Sequence, residues 1–159
     1  MTINTTPPAV NSLDVTEPSI QTRYPEPFAS MVRGRTKRKL GDYFDLTTFG
    51  VNLVRMAPDS VSSMPHHHSA EDEFIYVLSG TLILVTGEAE TVLQEGMCAG
   101  FKAGSRVPHQ LMNRSSAEAV FLEVGSRLDS DEVEYPFHDL ALKRAEDDWI
   151  FTHKDGTPY

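Results

Sequence analysis

Between residues 47 and 125 the chain is written in short runs of β-favouring residues cut by turn signals, with no long helical period among them. Residues 47–56 alternate around Val51, Leu53 and Val54, and Pro58-Asp59-Ser60 turns the chain. Residues 73–78 are β-branched and aromatic and stop at Ser79-Gly80; residues 81–86 follow at once and turn at Gly87-Glu88. Residues 90–93, 97–101, 107–112 and 119–124 complete the series. Many short strands at regular spacing specify an all-β barrel or jelly roll. With 159 residues the chain has the size of one domain and enough length for a proper hydrophobic core.

Two segments of this series carry candidate metal ligands. The first holds His66, His67, His68 and Glu73, and the second holds His109. Side chains at i and i+2 of a strand share a face, so His66 and His68 can converge on one ion while His67 points away. Three imidazoles and a carboxylate suit a divalent zinc, iron, manganese, nickel or copper ion. Four protein ligands on an ion that takes five or six leave positions open for water or substrate. On the Glu73 strand, Ile75 and Val77 share the ligand's inward face, with Phe74, Tyr76 and Leu78 on the other. Leu111 and Asn113 share the face of His109. The pocket so derived is largely apolar, and no acid–base pair beyond the ligands declares itself.

These two segments resemble the paired motifs of the cupin superfamily, small double-stranded β-helix barrels. The first family motif runs His-x-His, three or four residues, Glu, six residues, Gly. His66-His67-His68, Glu73 and Gly80 match it. The six-residue spacing to Gly80 selects Glu73 over its neighbours Glu71 and Asp72. The second motif closes on a His and an Asn with three residues between, which His109 and Asn113 match. Two turns depart from the pattern: Ser60 stands where the family has Gly, and Lys102-Ala103-Gly104 stands where it has Pro-x-Gly. Four residues then separate Gly104 from His109 where the family has two, and this longer loop, with Ser105, Arg106 and Pro108, is expected to shape the pocket mouth. The wording around the motifs looks like a group of single-barrel bacterial cupins, some provisionally labelled sugar-phosphate isomerases. The resemblance implies a single jelly-roll cupin barrel holding one divalent metal on His66, His68, Glu73 and His109, commonly as a homodimer.

The remaining chain divides around the barrel. Residues 1–46 form an N-terminal segment. Its first 27 residues, with Pro7, Pro8, Pro18, Pro25 and Pro27, read as an extended arm. Arg33-Gly34-Arg35-Thr36-Lys37-Arg38-Lys39 follows, read as a solvated loop that neutralises acidic surface, and then a turn at Leu40-Gly41-Asp42. Residues 47–125 form the barrel, and residues 126–159 a C-terminal extension packing on the barrel or on a dimer partner. Residues 126–148 read as an acidic connector with one helical turn, and residues 149–152 as a last strand before a turn at Asp155-Gly156. Trp149, Ile150 and Phe151 exceed what one small barrel needs, and exchange of terminal strands in a homodimer would use them. Cys98 is expected as a small buried core residue, Tyr76 as a packing residue, and His138 and His153 as surface residues.

A net charge of −9 gives the whole chain no attraction to nucleic acid or anionic membrane. One cysteine excludes an intramolecular disulfide framework and fits a reducing compartment. The first ten residues lack a basic n-region and an apolar h-region, and no apolar run approaches the ~20 residues of a membrane span. The expectation is a cytoplasmic protein whose partners are a small molecule and a second copy of itself. The leading functional reading is a metal-dependent enzyme on a small polar or carbonyl metabolite, of isomerase or lyase type or of dioxygenase type. The alternative is a non-catalytic barrel that senses a small ligand or binds metal.

Overall fold

The computed structural model describes residues 7–19, 22–145 and 148–159. The first six residues of the arm, residues 20–21 and the acidic pair at 146–147 lie outside the described residues. The chain builds three antiparallel sheets. In chain order the strands are β1 (Arg35–Lys39), β2 (Phe49–Met56), β3 (Ser60–Val61), β4 (His67–His68), β5 (Glu73–Ser79), β6 (Thr81–Thr86) and β7 (Ala89–Gln94). They continue with β8 (Cys98–Phe101), β9 (His109–Asn113), β10 (Ala119–Ser126), β11 (Glu132–Glu134), β12 (Ala141–Ala145) and β13 (Asp148–Thr152). One sheet has the order β1-β2-β10-β5-β8, a second β3-β9-β6-β7, and a third β13-β12-β11-β4. A backbone bridge between His66 and His109 ties the second and third sheets together. The result is the all-β jelly-roll barrel that the strand series predicts.

Alternation explains which faces pack. On β5, Ile75 and Val77 are buried while Phe74, Tyr76 and Leu78 stay exposed. The main core lies between the first two sheets, where Val54, Met56, Val77, Leu82, Leu93 and Phe121 meet. A second cluster joins the arm to the third sheet through Phe28, Val32, Met64, Val133, Tyr135 and Leu140. Phe28 belongs to a short helix, α1 (Phe28–Met31), and a second, α2 (Leu40–Tyr43), forms where a turn was expected.

Three expectations are corrected. The basic run is not a solvated loop: residues 35–39 form edge strand β1, paired residue for residue with β2, and Arg35 is buried. Residues 126–148 hold strands β11 and β12, not a connector with a helical turn, because Val133 alternates with Glu132 and Glu134 and can bury one face. Cys98 is exposed: it pairs opposite Tyr76, whose side chain faces outward, so the thiol faces outward too. The C-terminal strand pairs within its own chain, and Phe151 packs against Tyr24 and Tyr135. His138 and His153 are partly exposed.

Gly80 shows how tightly the barrel is closed at the end of β5. It adopts φ +81°, and a Cβ there would lie 2.8 Å from the Ala119 Cα and the Glu118 carbonyl. Both obstacles are backbone, so nothing can swing aside. Gly80→Ala is predicted to cost about 2–3 kcal/mol, read as a fall in Tm of roughly 5–10 °C.

Candidate metal centre

The structure brings all four predicted residues to one point. Glu73 opens β5 with its side chain on the inward face, His66 precedes β4 and His68 ends it, and His109 opens β9 directly opposite His66. His109 Nε2 lies 2.7 Å from Glu73 Oε2, His68 Nε2 3.7 Å and His66 Nε2 3.8 Å from the same oxygen. His66, His68 and Glu73 each offer a ligand atom within 4.8 Å of the others. His67 is turned from this point, as the alternation requires; its Nε2 lies 3.8 Å from Glu134.

Hydrogen bonds at the far ring nitrogens set the tautomers. His66 Nδ1 lies 2.9 Å from the Met64 carbonyl, which can only accept, so Nδ1 carries the proton. His68 Nδ1 donates to Asp131 Oδ2 at 2.7 Å. The neutral forms of both rings therefore aim an Nε2 lone pair at the Glu73 carboxylate. His109 is held flat by Phe101, stacked at 3.7 Å with planes 5° apart, and its buried Nδ1 has no hydrogen-bond partner among the described residues. Electron-rich atoms facing one anionic oxygen repel unless a proton or a cation stands between them, and a divalent ion fits this donor set.

The charges respond to this crowding. Burial holds the His66 pKa down at about 3, against the pull of Glu73, so this imidazole is neutral. Burial also works against charge on His68, but the Asp131 hydrogen bond and the Glu73 and Asp131 charges outweigh it and raise its pKa. Glu73 would be pushed up by burial, yet the His109 hydrogen bond and the surrounding imidazoles hold it well below the usual carboxylate range.

Asp131 is a buried residue at this site that the sequence reading missed. It lies in the stretch read as an acidic connector, but is 1% exposed. Besides His68 it accepts from the backbone N–H groups of Ala70 and Glu71 at 2.8 and 3.1 Å. Burial raises its pKa, and these bonds more than offset that and lower it. The signal available was the alternation of Glu132, Val133, Glu134 and Tyr135, which marks a strand and fixes the residue before it.

The four side chains lie on the wall of a cavity of about 480 Å³. Its apolar part includes Ile75, Leu111 and Phe121, as expected. Most of the lining is apolar, as the alternation implies, and β1, β2 and β10 add polar groups by turning Arg35, Lys37, Asn52 and Glu123 inward, while the Tyr24 and Tyr135 hydroxyls meet at 3.3 Å. The longer loop does not shape it: Ser105, Arg106 and Pro108 are absent from the lining, where Arg23, Arg127 and Trp149 stand instead. That loop acts on the site through Gly104, whose N–H donates to the His68 carbonyl at 2.9 Å. Ser60, in the other altered turn, is buried and closes it by donating to the Ala57 carbonyl at 2.6 Å.

The two lowered carboxyls make stability depend on pH in a known direction. Asp131 and Glu73 bind protons less readily in the folded chain, so they stabilise it above their ordinary values of about 4. That contribution is lost as pH falls through their folded values. Metal-free protein is predicted to lose Tm steadily below about pH 4, and Asp131→Asn to lose less there. At neutral pH the same variant is destabilised by about 1–3 kcal/mol, measured by urea titration.

Comparison with known proteins agrees with this geometry. A family model described as a cupin domain matches residues 52–125. A solved structure from Silicibacter pomeroyi, described as a sugar phosphate isomerase from the cupin superfamily, is 38% identical with a TM-score of 0.89, over 96% of each chain. A provisionally described sugar phosphate isomerase from Acidithiobacillus ferrooxidans is 30% identical with a TM-score of 0.70, over 79% of this chain and 80% of its own. The polyketide cyclase RemF from Streptomyces resistomycificus shares the fold at 22% identity and a TM-score of 0.60, over 74% of this chain and 78% of its own. No functionally curated relative matches the chain. Among the described residues no helix is long and apolar enough to cross a membrane. With near-complete coverage of a relative at this identity, and a barrel that holds its histidines and glutamate at the motif positions, the chain belongs to the cupin superfamily.

Proposed function

We propose that the protein is a metal-dependent enzyme of the isomerase type, acting on a small hydroxy-carbonyl compound. One divalent ion would be held by His66, His68, Glu73 and His109. The observation that carries this reading is the convergence of three imidazole Nε2 atoms on Glu73 Oε2 at a cavity of about 480 Å³. The descriptions of the relatives at 38% and 30% identity support the isomerase branch. A divalent ion there supplies Lewis acidity toward a carbonyl or hydroxyl oxygen. The chain does the rest. Asp131 and the Met64 carbonyl fix the ring orientations of His68 and His66. Ile75, Leu111 and Phe121 exclude water from one side of the cavity, and Lys37, Asn52 and Glu123 offer polar contacts on another.

Metal content by mass spectrometry on untagged protein tests the site. Near one equivalent of a single metal is expected, lost in His66→Ala and His109→Ala, with affinity in Asp131→Asn weakened about 10–100-fold. No metal after reconstitution would leave a binding barrel without metal chemistry. Turnover is then assayed on aldose phosphates of three to six carbons; oxygen uptake in place of isomerisation would move the reading to oxidation.

The outward face of the first sheet favours a homodimer. Phe74, Tyr76 and Leu78 are 43%, 39% and 39% exposed on one strand face, a contiguous apolar stripe of the kind that marks an interface. Light scattering is expected to give twice the chain mass, and Leu78→Glu to give the monomer.

A further inference from the structure

Strand β10 carries Phe121, Glu123 and Gly125 on its inward face. Phe121 is fully buried in the main core, and Glu123, two residues on, stands in the cavity wall. Its neighbours across the sheet are Asn52 on β2 and Ile75 on β5. Lys37 Nζ donates to Glu123 Oε1 at 2.6 Å, and Asn52 Nδ2 donates to the same oxygen at 2.9 Å. Among the described residues, Glu123 Oε2 takes no hydrogen bond. The side chains of Lys37 and Glu123 are 25% and 17% exposed.

Packing does not account for this cluster. A half-buried ion pair on a wall shared with Ile75 and Phe121 gains little over apolar side chains of the same volume, because both charges are desolvated. What the arrangement achieves is an oriented carboxylate, with one oxygen tied down and the other left to the cavity. Its place relative to the metal centre is set by register. Glu123 lies opposite Ile75, so Glu73 is its diagonal neighbour on the same face, at a distance of roughly 7–8 Å. Both carboxylates line the same cavity of about 480 Å³, which has room for a small molecule.

Resting on the isomerase reading above, we propose that Glu123 is the residue that moves the proton between adjacent carbons of the substrate. Glu123 Oε2 takes the proton from the hydroxyl-bearing carbon next to the carbonyl. The C–H electron pair forms the carbon–carbon double bond of an enediol, and the carbonyl oxygen gains a proton from solvent. In the second half the protonated Glu123 returns its proton to the former carbonyl carbon. The other oxygen gives its proton to solvent and becomes the new carbonyl. No oxidant or reductant is needed. Lys37 and Asn52 act as positioning residues, holding Oε1 so that Oε2 faces the reacting carbons.

The test follows the carbon-bound proton directly. Metal-loaded protein is incubated in D₂O with aldose phosphates of three to six carbons, and loss of the C2–H signal is followed by proton NMR. Wild-type protein is expected to wash out that proton on at least one of them. Glu123→Gln, with unchanged metal content and Tm, should slow exchange about 10²–10⁴-fold, in kcat more than in KM. Glu123→Asp keeps a carboxylate and should retain part of the rate; it also serves if the Gln variant fails to fold. Exchange in Glu123→Gln within threefold of wild type would overturn the role of Glu123 alone. Turnover by wild-type protein in which the migrating hydrogen never exchanges with solvent would overturn proton transfer by Glu123 alone, whereas metal-loaded protein that turns over none of these compounds would overturn the isomerase reading, and this role with it.

Discussion

A single carboxylate oxygen, Glu73 Oε2, gathers three imidazoles from two separate sheets, and the architecture around it exists to hold that arrangement. Bringing four ionisable groups out of water is expensive unless each is paired or bound to a cation. The chain meets this with a second set of partners: Asp131 behind His68, the Met64 carbonyl behind His66, and the Phe101 ring against His109. Met64 is local to His66, two residues away, but Asp131 is 63 residues from His68 and Phe101 comes from a different strand than His109. The site therefore forms only once the His66 segment, β9 and β11 are brought together.

Closure depends on β10. It is paired along its length with β2 on one side and β5 on the other, so it fixes the height of Glu73 relative to the cavity wall. The His66–His109 bridge does the same across the second and third sheets. The arm adds a lateral restraint. Arg38 on the edge strand bonds to the Val15 carbonyl and pairs with Glu17 at 3.2 Å, while Tyr24 reaches the cavity beside Tyr135.

The barrel strands and the converging residues were legible because both are local patterns: alternation over five to eight residues, and fixed spacings around turns. Glu73, Ile75 and Val77 could be placed on one face from parity alone. What escaped were residues whose role is decided by partners far along the chain. Arg35 and Lys37 sit in a run so uniformly basic that parity carries no contrast, and only pairing with β2 turns them inward. Glu123 lies between Leu122 and Val124, so either face of that strand could have been the buried one. Asp131 looks like its acidic neighbours until β11 pairs with β4 and buries it beside His68. Cys98 failed for a related reason: a small residue between glycines says nothing about which side of an edge strand it takes.

The cavity itself follows from how the inward rows are graded. Along β2 the inward residues run Met56, Val54, Asn52, Gly50; along β10, in register with the last three, they run Phe121, Glu123, Gly125. On β5 the matching row is Val77, Ile75, Glu73. Each row passes from hydrocarbon to polar or charged groups, and two of the three end in glycine. The hydrocarbon end is the core that stabilises the barrel. The middle places Asn52 beside Glu123 without leaving either unbonded. At the far end the missing side chains leave room where filled positions would extend the core: a Cβ on Gly125 would sit 3.6 Å from the Glu73 Cγ, and one on Gly50 3.2 Å from the Arg127 guanidinium. Emptying a barrel end costs packing. The polar wall, the space above it and the imidazoles beside it are thus one feature of the sequence, written as a two-residue period on three neighbouring strands.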